Sequence, residues 1–88
     1  MLRISIINES ENRIRLNVEG WLVGPWVDEL RQQSAQAMLQ ATEVTLDLEK
    51  LWFMDALGIA LLQELAQQEV AYLNCSTFIS QQLKETML

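Results

Sequence analysis

Histidine is absent from this 88-residue chain, and cysteine occurs once. Without histidine the usual general acid–base side chain is missing. A metal site is not expected either, because only carboxylates and one thiol are left to serve as ligands. The single thiol, Cys75, cannot close an internal disulfide, which suits a reducing compartment. Cys75 stands just ahead of a possible helix N-terminus, where thiol pKa values fall. With no histidine partner it reads as a small buried hydrophobe. A phosphate-cradling loop is also lacking. Gly20-Trp21-Leu22-Val23-Gly24 has two glycines but no Lys-Ser/Thr, and bulky side chains lie between them. Long apolar runs are missing too: no stretch approaches the ~18 residues of a membrane-spanning helix. The N-terminal run is too short for a signal peptide. Basic charge is scarce. Six Lys and Arg face twelve Asp and Glu, for a net charge of −6. An acidic surface repels phosphate backbones and anionic lipid, so neither nucleic-acid binding nor membrane insertion is expected. The chain reads as cytoplasmic, bacterial in style, without cofactor or metal, and without enzymatic activity.

Half of the residues are hydrophobic. At this length they can form one compact core in a single domain spanning residues 1–88. Ile4 and Ile6 alternate with Arg3 and Ser5. Ile14, Leu16 and Val18 alternate with Arg13, Arg15, Asn17 and Glu19. Period two with one polar face predicts two half-buried strands joined by a polar turn around Asn8–Asn12. Gly20 is expected to break the second strand. Gly24-Pro25 opens a helix to about Gln40, with Val27, Leu30, Ser34, Ala37 and Met38 on its inner face. Val44, Leu46 and Leu48 give a third strand, and Leu51–Met54 a loop or short turn. Asp55 is an N-cap for a second helix to about Gln68, with Gly58, Leu61, Leu62 and Leu65 buried and Gly58 permitting close approach to the sheet. Val70–Leu73 form a short fourth strand. Ser76 caps a third helix with Phe78, Ile79 and Leu83 roughly on one side. The expected fold is α/β, β-β-α-β-α-β-α, with a mixed sheet and the helices packed on one face.

The carboxylate pairs Asp28/Glu29 and Asp47/Glu49 are the remaining candidates for acid–base chemistry. The first pair diverges on a helix, and the second reads as a solvated strand face. The stretch Leu51–Leu62 is more informative, because it is too apolar for a helix that needs one buried stripe. If Leu51 and Phe53 point inward, Trp52 and Met54 point outward. Together with Asp55, Ala56 and Leu57 they mark a partner-binding surface. In the competing arrangement the loop folds back and buries Trp52 and Met54. Trp21 and Trp26 flank the turn before the first helix, at the same end of the sheet. They extend that surface, although Trp26 is equally suited to plugging the end of the core.

The run Val44-Thr45-Leu46-Asp47-Leu48, then Phe53-Met54-Asp55, Gly58 and Leu61-Leu62, resembles the STAS domain. Val18-Glu19-Gly20 and the element order support this over about Arg3 to Glu85. That domain is shared by bacterial anti-sigma-factor antagonists, by subunits of lipid-transport ABC systems and by the tails of sulfate transporters. The resemblance implies a protein-binding regulatory or scaffolding module that docks its partner at the N-terminus of the second helix. The partner would be an anti-sigma-like kinase, an ABC ATPase or another signalling protein. In phosphorylatable members an Asp is followed by Ser, then Ser or Thr as the acceptor, then Gly. The matching positions here are Asp55, Ala56, Leu57 and Gly58. The acceptor position holds Leu57, so no phosphorylation is expected there. The alternatives are a STAS subunit of a lipid-transport ABC system, or a self-assembling homodimer.

Overall fold

A computed structural model describes residues 1–86, with side chains described as far as residue 84. The element order is β1 (Leu2–Ser10), β2 (Arg13–Leu22), α1 (Pro25–Gln40), β3 (Glu43–Asp47), β4 (Leu51–Met54), α2 (Ala56–Gln67), β5 (Ala71–Leu73) and α3 (Thr77–Thr86). The sheet is mixed. β1 runs antiparallel to β2, β3 and β4 both lie parallel along β2, and β5 lies parallel to β3. This is the expected α/β architecture with one more strand than the alternation pattern predicts.

Period-two alternation decides which face of the sheet is buried. Ile14, Leu16, Val18 and Leu22 of β2 join Val44 and Leu46 of β3 and Leu48 just beyond it. Side chains of all three helices complete the same core: Val27, Leu30 and Ala37 from α1, Leu61, Leu62 and Leu65 from α2, and Ile79 from α3. The helical spacing thus predicts the inner faces of α1 and α2 correctly. Tyr72 of β5 reaches into this layer and donates its hydroxyl to the Leu62 carbonyl. Burial of its ring raises the pKa of that hydroxyl above the ordinary tyrosine value. On the opposite face Glu19 lies between Arg3 and Lys50, at 3.9 and 3.5 Å, and Arg15 lies 3.4 Å from Glu9. None of the described helices is long and apolar enough to cross a membrane.

Four expectations are corrected. Gly20 does not end β2 but bends it, with φ of +104°, and a Cβ there would lie 2.3 Å from the Met1 carbonyl oxygen. Leu51–Met54 is a strand, not a loop. Asp47 and Glu49 do not share a strand face: the chain turns after Leu48, and the Asp47 carboxylate accepts the Glu49 amide at 3.1 Å. Phe78 lies outside the core, whereas Ile79 is fully buried. Ser76 caps α3 as expected, accepting the Ile79 amide at 3.2 Å.

Candidate functional site

The parallel strands β2 and β4 end together, and α1 and α2 begin from that end. The register between the two strands shifts at Gly20: Gly20 faces Leu51, but Trp21 faces Phe53 and Leu22 faces Met54. Trp52 is the extra residue of this bulge. A bulge offsets the alternation by one place. Leu51 and Met54 therefore both point into the core, three positions apart, while Trp52 and Phe53 between them are exposed.

This corrects the expected surface in one position. Met54 is only 1 % exposed and packs inside, which removes it from any contact surface. Phe53, expected in the core, takes its place outside. Its ring meets Trp21 edge-on, with centroids 6.2 Å apart and planes at 62°, a favoured geometry for aromatic pairs. Trp52 is 65 %, Leu57 62 % and Trp21 55 % exposed. Ala56 is exposed in the first turn of α2. Trp26, in the first turn of α1, is 37 % exposed. It realises part of each placement open to it. Trp21 and Phe53 project from the sheet face opposite the helices, whereas Leu57 and Trp26 stand on helix N-termini. The apolar surface therefore wraps around the end of the sheet.

Asp55 holds this end in place. One carboxylate oxygen accepts the Gly58 amide at 2.8 Å, which is the N-cap of α2. The other accepts the Gly24 amide at 2.9 Å, from the turn that leads into α1. The Asp55 amide in turn donates to the Leu22 carbonyl at 3.2 Å. Asp55 thus joins the two helix N-termini through its side chain and ties them to the end of β2 through its main chain. The amides of Gly24 and Gly58 favour the ionised form and lower its pKa below the ordinary aspartate value, against a smaller opposing effect of burial. Gly58 is required by close packing. A Cβ on it would lie 2.5 Å from the Leu22 carbonyl oxygen and 3.0 Å from the Leu22 Cγ.

The structure thus brings Trp21, Trp26, Trp52, Asp55, Ala56 and Leu57 to one end. Sequence alternation missed Phe53, because it cannot register a bulge that appears only in the pairing of two strands. It also missed Gly24 as the second partner of Asp55.

No protein-family model matches this chain. No curated protein sequence matches it either. Solved structures do match. A structure of the anti-sigma factor antagonist SpoIIAA in its unphosphorylated form superposes with a TM-score of 0.73 at 19 % identity, covering 98 % of this chain and 82 % of that one. A structure of the Bacillus cell fate determinant SpoIIAA in the phosphorylated form gives a TM-score of 0.66 at 17 % identity, covering 96 % and 83 %. The fold is therefore the STAS fold of SpoIIAA over nearly the whole chain.

Proposed function

We propose that this chain is a regulatory protein-binding module that works by docking and not by catalysis, with its contact surface at the N-terminus of α2. The observation that carries this reading is the ring of large apolar side chains left outside at one anchored end: Trp21, Trp52, Phe53 and Leu57. Exposing them costs solvation, and a rigid platform beneath them lowers the entropy lost on binding. Aromatic anchors of this kind dominate the energy of protein interfaces. The SpoIIAA fold supports the same reading, since that protein is an anti-sigma factor antagonist.

Leu57 occupies the place that the family motif gives to a phosphorylated hydroxyl. A phosphate at a helix N-terminus adds roughly −2 charge to a contact surface and can switch a partner off. Leucine has no hydroxyl and supplies apolar area instead, so docking here is constitutive or controlled elsewhere. The partner is an anti-sigma-type kinase, an ABC ATPase or another signalling protein. Isothermal titration against purified members of each class separates them. Binding to one class that Leu57→Glu weakens at least about tenfold, or 1.4 kcal/mol, supports the reading. Binding that ignores Leu57→Glu, Trp52→Ala and Phe53→Ala alike would refute it.

A further inference from the structure

The two edges of the sheet are not alike. β5, at one edge, is three residues long, which is one way to blunt an edge. β1, at the other, is nine residues long. Among the described residues nothing pairs with its outer side. Over Leu2–Asn8 it has no proline and one charge, Arg3. The Trp21 amide donates to the Met1 carbonyl at 3.0 Å, so Met1 and Trp21 form a hydrogen-bonded pair of the antiparallel ladder. Such pairs alternate along the strand. The main-chain groups of Arg3, Ser5 and Ile7 therefore face β2, and those of Leu2, Ile4 and Ile6 point outward. Ile6 lies opposite Leu16 on the face that the helices cover elsewhere. Leu16 is fully buried, but Ile6 is 54 % exposed.

We infer that this edge is a self-association site, at which β1 pairs antiparallel with β1 of a second copy and continues the sheet across a two-fold axis. The register is set by side chains. With Ile6 opposite Ile6 of the second copy, Ile4 lies opposite its Asn8, and the outward main-chain groups of both strands meet. Arg3 and Glu9 lie outside this pairing: Arg3 is 3.9 Å from Glu19, and Glu9, the extra residue of the bulge, is 3.4 Å from Arg15. The chain carries −6 overall, but Leu2–Ser10 holds one positive and one negative charge. The edge is thus a neutral strip on an acidic molecule, where two copies approach with least repulsion. The bulge after Asn8 bends the strand and limits the ladder to this central segment. The added interface is small, and the dimer is expected to be weak, with a dissociation constant on the order of 1–100 µM.

Sedimentation velocity of the full chain over about 1 µM to 1 mM, concentrations that bracket this expectation, tests the inference. The expected result is a reversible monomer–dimer equilibrium. Ile6→Pro removes an outward amide without touching the β1–β2 ladder, and should leave the circular dichroism unchanged while making the protein monomeric. Ile6→Lys should do the same and covers the case in which the proline variant does not fold. A wild-type chain that stays monomeric throughout would overturn the inference. So would a dimer that survives Ile6→Lys, or one that Leu57→Glu dissociates, since that residue belongs to the other surface.

Discussion

The two ends of the sheet share β2 and both meet solvent, yet they expose different chemistry. At the end where β2 and β4 finish, Trp21, Trp52, Phe53 and Leu57 stand outside. At the end where β2 and β3 begin, the exposed residues include Asn12, Arg13, Thr42, Glu43, Gln68 and Glu69, with Leu39 in the last turn of α1 an isolated exposed apolar side chain beside them. The anchoring differs as well. The apolar end is tied through two part-buried hydrogen bonds to one carboxylate, that of Asp55. The polar end has an exposed ion pair, Arg13 to Glu43 at 2.7 Å, and a main-chain bond from the Glu43 amide to the Asn12 carbonyl at 2.9 Å. Openness alone therefore does not mark a site. The combination of costly apolar exposure and rigid internal anchoring does, and it occurs at one end only.

Substitutions that break this contrast should act in a definite order. Gly58→Val drives a side chain into the Leu22 carbonyl, a main-chain atom that cannot swing aside, and forces α2 off the sheet. The expected loss is about 3 kcal/mol in urea unfolding, the largest of the series. Asp55→Ala removes both the cap and the tie to Gly24, for a loss of about 2 kcal/mol. Asp55 also predicts a pH dependence. Its folded pKa is lowered, so its contribution is fully present above the unfolded value of about 3.9. It is lost as the pH falls through the folded value, because the unfolded chain takes up the proton first. Wild-type stability should therefore fall more steeply than that of Asp55→Asn from about pH 4 downward.

Smaller effects are expected where side chains meet solvent. Phe53→Ala breaks the edge-on contact with Trp21 and should cost about 1 kcal/mol. Arg13→Ala at the polar end should cost less than about 1 kcal/mol, as exposed ion pairs do. Leu57→Glu should change stability by no more than about 0.5 kcal/mol. A large loss at Arg13 with none at Asp55 would invert the comparison between the two ends.

The fold was legible in the sequence wherever one periodicity ran unbroken. Val27, Leu30, Ser34 and Ala37 of α1, and Gly58, Leu61, Leu62 and Leu65 of α2, are buried as their spacing requires. The reading failed where a neighbouring strand set the local geometry. The bulge at Trp52 swaps the expected placements of Phe53 and Met54, and no pattern within Leu51–Met54 carries that information. Asp55 was legible as a cap, because its first partner lies three residues on. Its second partner, Gly24, is thirty-one residues away, beyond any local signal. Ile6 followed its strand alternation correctly, yet it is exposed, since alternation gives a face and not what covers it.

Calorimetric titration of one purified partner with the wild type, Leu57→Glu and Arg13→Ala, all shown to be folded, tests whether docking belongs to the apolar end and not to the polar one. Leu57→Glu should lose at least about tenfold in affinity while Arg13→Ala binds as the wild type does. Equal binding by all three, or loss confined to Arg13→Ala, would contradict docking at the apolar end.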